Sequence, residues 1–550
     1  MTSAPTSFAE WQTYPLTLDP IHVAWLKQAK QAKTAFAVAD IEGIEISHKR
    51  FLTGVLLFAK KIKIYSPEQN VGLLLPSSGG GAIASMAILS LGKTLVNLNF
   101  TAGKKALQSA VEQAEVKHIY TSRKFIDKMY EKGDDLSSFF PDIELLFLED
   151  IKEEISTIAR LGTLLVAILM PVNLIKKRYF EDVSMNDTAA ILFSSGSEGS
   201  PKGVELSHSN IAANAKQAAI ELGAVSSDVI MSTLPTFHAF GFAITTLMPL
   251  AEGIPIVCHP DPKDVATIAS GIEKYTGTIL VGTPTFLRMY AISKKVSVES
   301  LQSLRLVVAG AEKLRSEVRE AFESKFNKPV YEGYGTTETS PGASVNLPDI
   351  KDNDSETVKL RNRPGTVGRA FSGTEFRIVD PDSLDPIPTG EDGLILIGGP
   401  QIMKGYLKMP EKTAEAIEII DDYRWYRTGD KGHLDEDGFL TIVDRYSRFA
   451  KIGGEMISLT TVEEEILDAC NDKDLEIAAT CLPDQVKGEK IVLLATTDLN
   501  KDELKKLLIE ANVNSLYHPS NVLNVEEIPK LGSGKNDYGA TKKIALANPN

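Results

Sequence analysis

Short apolar runs that stop at Gly or Pro alternate with longer helical stretches through most of this 550-residue chain. NVGLLLP at 70–76 leads into SSGGGAIASMAILSLG at 77–92, read as a tight glycine turn and then a helix. TGTILVGTP at 276–284 and LRLVVAG at 304–310 flank the helical TFLRMYAISKK. Apolar runs with no polar alternation are buried on both faces, as in parallel strands covered by helices. Strand and helix in alternation predict an α/β protein with largely parallel sheets. In such sheets ligands meet the loops at the carboxyl ends of strands. Loops 194–203, 309–314 and 333–338 occupy such places.

The chain is too long for one ordinary domain. After about residue 370 its texture changes. EFRIVDPDSLDPIPTGEDGLILIGGP reads as short β structure broken by Pro, Asp and Gly, and YRTGDKGHLDEDGFLTIVDRYSR as a hairpin. A last segment carries helices at 461–470 and 502–511. The expected fold class is α/β. A large N-terminal domain of stacked, parallel-rich sheets with a distorted β subdomain is followed by a small α+β C-terminal domain. The boundary falls near 444–447, giving domains 1–444 and 445–550. A net charge of −14 speaks against non-specific nucleic-acid binding. Three cysteines without metal-ligand spacing fit a reducing, cytoplasmic setting. The start, MTSAPTSFAEWQTYPL, shows no signal-peptide pattern.

One segment stands apart. RLGTLLVAILMPVNLIKKR, at 160–178, is apolar in its centre and closed by Lys176, Lys177 and Arg178. A spanning helix needs about 20 apolar residues, so it is too short to cross a bilayer. Two readings stay open. It is either a buried helix of the large domain, or a helix that dips into a membrane surface or lines a lipid entry.

SSGSEGSPKG, at 194–203, follows the apolar AAILF. It fails the nucleotide P-loop pattern, because Lys202 is followed by Gly203 and Pro stands where the second Gly belongs. Physically it is a donor-rich loop. Glycines let backbone N–H groups approach phosphate oxygens, the serines add hydroxyls, and Lys202 adds charge. Alone it could be a surface turn. YEGYGTTE at 331–338, YRTGD at 426–430, DRYSRFAKIGGEMIS at 444–458 and PKLGSGK at 529–535 follow in order.

These five pieces, in this order, resemble the adenylate-forming superfamily of acyl-CoA synthetases, luciferases and peptide-synthetase adenylation domains, over about residues 20–545. The resemblance implies two half-reactions. A carboxylate attacks the α-phosphate of ATP, giving acyl-adenylate and pyrophosphate; a thiol then takes the acyl group and AMP leaves. Ser194, Ser195, Gly196, Ser197, Glu198, Gly199 and Lys202 would hold the outer phosphates. Lys535 would bridge carboxylate and α-phosphate, Glu338 would bind Mg²⁺, and Thr337 would stand beside the α-phosphate. Asp430 and Arg445 would hold the ribose. Tyr334 with Gly310, Ala311 and Glu312 would form the adenine slot, and Glu332, Gly333, Gly335, Thr336 and Ile442 would line the same nucleotide site. His238 in LPTFHAFG would stand at the mouth of the acyl pocket. Lys451 would serve the thiol half-reaction. The implied cofactors are ATP and Mg²⁺. The chain departs from the family at the hinge, where Ser447 and Asp444 replace the usual residues.

Ser-Glu-Gly in the phosphate loop, with LVNLNFTAG and RFAKIGGEMIS, looks like the acyl-[acyl-carrier-protein] synthetases. That subgroup implies a medium or long fatty acid as substrate and acyl carrier protein as partner. A fatty acyl-CoA synthetase shares every catalytic motif, so CoA stays open as the thiol. A non-catalytic fatty-acid or nucleotide binder is the alternative from another class. An acidic carrier protein would need a basic patch: Lys313, Arg315, Arg319, Lys325 and Lys328 form one candidate, Lys530, Lys542 and Lys543 another. Localisation is expected to be cytoplasmic, with peripheral membrane contact through 160–178.

Overall fold

The computed structural model describes residues 18–32, 34–194, 201–351, 358–452, 455–472, 475–484, 488–531 and 535–548. Two large sheets dominate. One has seven strands, and its centre runs Thr188–Ser194, Thr94–Asn97, Asn70–Leu73, His118–Thr121, Glu144–Phe147, all parallel. The antiparallel strand Lys202–Ser207 extends one edge. The other sheet has nine strands. Val330–Gly335, Leu306–Ala309, Ile279–Gly282, Ile230–Ser232, Ile256–Cys258 and Val38–Asp40 run parallel in that order. One continuous apolar core joins both, through Val71 and Leu95 of the first and Ile230, Ile256 and Ile279 of the second. Their strands are Val/Ile/Leu-rich because both faces are covered.

The region after residue 370 forms an antiparallel sheet of Glu375–Val379, Gly393–Gly398, Tyr423–Leu434 and Ile417–Ile420, with Leu440–Arg445 on the long strand. The expected 426–448 hairpin is present in that pairing. The last sheet has its own core. Ile477, Ala479, Cys481, Ile491, Leu493 and Ala495 face one side, and Ala478, Leu482, Val492 and Leu494 the other. That alternation follows the two-residue period of a strand. The chain is therefore a mixed α/β protein, with a large N-terminal domain of sheets and a small C-terminal domain. The C-terminal helices span Leu459–Cys470 and Lys501–Glu510, close to the expected ranges.

Two expectations need correction. Gly79–Gly81 is not a separate turn. It is the first turn of the helix Gly79–Ser90, whose N-cap Ser78 accepts from the Gly81 N–H at 3.2 Å. The 160–178 segment is not one buried helix either. It is two helices, Thr157–Leu169 and Val172–Tyr179, split at Pro171. Met170 before the proline is extended, as proline demands of its predecessor. Most of the large apolar side chains of the pair face outward. Among the described residues no helix is long and apolar enough to cross a membrane.

Candidate active site

The site is built at the carboxyl ends of the parallel strands of the nine-stranded sheet. Leu306–Ala309 delivers Gly310, Ala311 and Glu312; Val330–Gly335 delivers Gly333, Tyr334 and Gly335. A Cβ at Gly335 would lie 1.7 Å from the Pro341 carbonyl oxygen, so only glycine fits. At Gly310 a Cβ would meet the Phe240 ring at 2.9 Å. Ala311 itself holds a left-handed φ of 73°. Thr336 and Thr337 lead into a 3₁₀ turn, Thr337–Thr339, where the Thr336 N–H donates to Thr339 Oγ1 at 3.0 Å.

Asp430 joins this floor from the antiparallel sheet. It is buried, and its strand register sets it opposite Arg445. Arg445 Nε donates to Asp430 Oδ1 at 3.0 Å, while the Tyr334 hydroxyl donates to Oδ2. Burial, then the Asp430 charge, pushes the Tyr334 phenol well above its ordinary range, so it stays a donor. Ile442 stands on the same strand as Arg445, opposite Gly432, and packs on the main core.

Glu338 is buried, and Tyr406 Oη donates to its Oε1 at 2.9 Å. Burial and the Glu338 charge keep the Tyr406 phenol protonated. Lys202 reaches the same ring, with Nζ 5.4 Å from its centroid. Ser194 pairs with Lys202 across the base of the hairpin whose tip is the expected phosphate loop. Ser195, Gly196, Ser197, Glu198 and Gly199 lie outside the described residues.

Glu312 accepts from Thr285 Oγ1 at 2.9 Å, and burial raises its carboxyl above the usual range. Lys535 comes to it from the far end of the chain. The Leu531 N–H donates to the Lys535 carbonyl at 2.7 Å. Burial, then the Arg445 charge, lowers its ammonium below the ordinary lysine range, against the pull of Glu312, Asp430 and Glu338. His238 faces the same ammonium. Burial first, then the Lys535 charge, lowers its imidazole to about 3, so it is neutral. Its buried Nε2 has no partner among the described residues. Phe237 lies 4.6 Å from the His238 ring, and Phe100 and Phe125 continue that aromatic wall at 4.8 and 4.9 Å.

The structure thus gathers Tyr334, Glu312, Glu338, Asp430, Arg445, His238 and Lys535 into one polar group with an apolar wall. Two expected residues are turned elsewhere. The buried Glu332 carboxylate pairs with Arg319. Lys451 is exposed on Phe449–Ile452, where its N–H donates to Glu489 at 2.6 Å. Tyr406, missed in the sequence, is a lone aromatic in IMKGYLK with no motif around it. Tyr426 opens YRTGD, yet nothing in that phrase shows that it is buried beside Tyr406 and Tyr334.

The first basic patch is largely consumed. Lys313 pairs with Glu464 and Arg319 with Glu332. Lys325 donates to three main-chain carbonyls and Lys328 to two. Of the second patch, Lys530 pairs with Glu476, while Lys542 and Lys543 are exposed.

A buried carboxylate held by a tyrosine, a buried aspartate held by an arginine and a tyrosine, and the Lys535 ammonium are residue types that suit a nucleotide with Mg²⁺. Known proteins agree. The family model described as "AMP-binding enzyme" matches residues 25–407. 4-Coumarate–CoA ligase 2 of Nicotiana tabacum is 29% identical over 500 residues, covering 88% of this chain and 86% of that protein. 4-Coumarate–CoA ligase 1 of Solanum tuberosum is 33% identical over 363 residues, 64% of each chain. The ATP-bound crystal structure of MatB from Rhodopseudomonas palustris superposes with a TM-score of 0.77 at 22% identity, over 95% of this chain and 99% of that one.

Proposed function

The chain belongs to the AMP-binding enzyme family, and on that premise we propose that it is an AMP-forming acid–thiol ligase that activates a medium or long fatty acid. The observation that carries the reading is that the Lys535 ammonium feels the charges of Arg445, Glu312, Asp430 and Glu338 and acts in turn on the His238 ring. Adenylate formation builds charge on a crowded triphosphate while an anionic carboxylate approaches it. A cation placed between the two oxyanions lowers that repulsion, and a desolvated one does so strongly. Lys535 takes that role. Asp430, with both oxygens held, accepts from the ribose hydroxyls beside Arg445. Tyr334 and 310–312 wall the adenine, and Thr337 reaches the α-phosphate. Glu338 would hold Mg²⁺, which supplies charge neutralisation on the phosphates when bound. The 194–203 loop, with Lys202, grips the departing pyrophosphate.

His238 is neutral and needs no proton transfer to serve as the rim of the acyl pocket. The Phe100–Phe125–Phe237 wall beside it suits an alkyl chain. For the thiol half-reaction, residues 445–550 turn as a domain on the 444–447 hinge and bring Lys451 to the site. The phosphopantetheine thiol of acyl carrier protein is the acceptor that the loop phrases favour. Free CoA is the second reading, favoured by the names of the relatives and by the internal pairing of the first basic patch. One assay separates them. Purified enzyme receives ATP, Mg²⁺, a fatty-acid series and either free CoA or pantetheinylated carrier protein, and mass spectrometry reads the thioester. Product on carrier protein alone supports the first reading; product on CoA alone replaces it. No pyrophosphate release with any acid sinks the ligase reading itself.

A further inference from the structure

The helix pair Thr157–Leu169 and Val172–Tyr179 turns six of its large apolar side chains to solvent. Thr163 and Ala167 of the first helix are its buried residues, and that helix leans on His48–Tyr65. Ile158, Leu161, Leu165, Ile168 and Leu169 recur at helical spacing and share the opposite face. That face is solvent-exposed, Ile158 by 84% and Leu169 by 74%. Among the described residues, six of the twenty exposed large hydrophobics fall between 158 and 174. Single exposed apolar residues are ordinary; a contiguous row is not.

The row is not a frayed end. Ser156 accepts from the Ala159 N–H at 3.2 Å and caps the helix. Lys30 Nζ donates to the Ala167 and Ile168 carbonyls at 2.8 and 2.9 Å, closing its last turn. Ile175 of the second helix is fully buried. The pair is fastened from below, with its apolar face outward.

Charge identifies what covers that face. Residues 156–180 hold Arg160, Lys176, Lys177 and Arg178 and no acidic residue, in a chain of net charge −14. Lys176, Lys177 and Arg178 are exposed at the end of the second helix. A second copy docking here through the same face would set these cations against each other, since the acidic residues lie only beyond the pair, at Glu153, Glu154, Glu181 and Asp182, with Glu154 and Glu181 already paired to Lys61 and Lys63. We infer that this helix pair is a membrane-docking surface for an anionic lipid bilayer. The apolar row lies in the plane of the interface, and the cations meet the headgroups. The inference uses no part of the reaction proposed above, so either can fail without the other.

The test is co-sedimentation of the full chain with vesicles of phosphatidylcholine alone, and with about one part in three phosphatidylglycerol. The protein should pellet with the anionic vesicles, remain in solution with the neutral ones, and release as salt rises. Leu161→Ser/Leu165→Ser/Ile168→Ser should weaken partitioning by at least about tenfold. Lys176→Glu/Lys177→Glu should do the same and keeps the inference testable if the triple variant does not fold. All five positions are exposed and outside the catalytic group, so pyrophosphate exchange without vesicles should be unchanged. The inference is overturned if the parent stays in solution with both vesicle types, or if both variants pellet as it does. It is also overturned if the parent is a dimer that the triple variant converts to a monomer.

Discussion

Tyr406 donates its hydroxyl proton to Glu338 Oε1 at 2.9 Å, and the same ring receives the Lys202 ammonium on its face. One aromatic thus ties Lys202, at the base of the proposed phosphate loop, to the carboxylate proposed for Mg²⁺. Tyr406→Phe keeps the ring and removes the donor. Partners that orient a metal ligand are worth about ten- to a hundredfold in affinity or activity. We expect the Mg²⁺ concentration for half-maximal ATP–pyrophosphate exchange to rise about tenfold, with the fatty-acid KM unchanged. An unchanged Mg²⁺ requirement would reduce Tyr406 to packing.

Lys535 and Lys451 should separate the two half-reactions. Lys535 faces Glu312 and His238, whereas Lys451 is exposed on another strand. Lys535→Ala should lower pyrophosphate exchange by roughly a hundredfold or more, in the range found when one charge-stabilising donor is removed. It should still convert supplied acyl-adenylate to thioester. Lys451→Ala should show the converse. Single-turnover assays of each step read this directly; loss of the same step in both variants would refute the division of roles.

How much of this was legible in the sequence depended on period and punctuation. Buried parallel strands betray themselves as apolar runs ended by Gly or Pro, so the sheets and the loops at their ends could be read. Asp430 and Arg445 were named only through the resemblance carried by YRTGD and DRYSR; their opposition across one strand pair is seen in the register of the structure. Tyr406 could not be read, because a single aromatic in a loop has no periodicity. Glu332 was misleading, since a carboxylate one residue from the site loop turned to Arg319 on a neighbouring helix. The helix pair of 157–179 defeated hydropathy for a plain reason: apolar content does not say which face is covered, and here Thr163 and Ala167 were the inner residues.

Glu476 links the C-terminal sheet to the site's own elements. It lies 3.3 Å from Arg288 on the helix Pro284–Ile292 and 2.6 Å from Lys530, five positions before Lys535 in the chain. The partners are about one-third exposed, so each pair contributes only about 0–1 kcal/mol and is screened by salt. Glu476→Gln should therefore slow adenylate formation by less than about fivefold and leave thioester formation from acyl-adenylate undiminished. Raising salt should slow the parent but not the variant. Equal slowing of both half-reactions in the variant would show that the contact supports the fold rather than the orientation.

His22 and His208 make stability depend on acid. Their rings meet edge to face at 5.5 Å, both are buried, and their nitrogens have no partner among the described residues. Burial first, then the charges of His208 and Lys176, lowers His22 to about 3; burial lowers His208 to about 4 against the pull of Asp187. The unfolded chain protonates both near pH 6.5, but the native one does not until well below. The unfolded state therefore binds more protons in that window. Stability is complete above about pH 6.5 and falls as pH drops toward 4, by roughly 1 kcal/mol per pH unit for each histidine. His22→Phe removes one of the two groups and keeps an aromatic against Phe180, whose ring lies 5.6 Å away. Urea midpoints between about pH 4.5 and 7 should show a shallower pH dependence in the variant, whatever its absolute stability. Parallel pH curves for variant and parent would mean that His22 gains no proton on unfolding and that the acid sensitivity lies elsewhere.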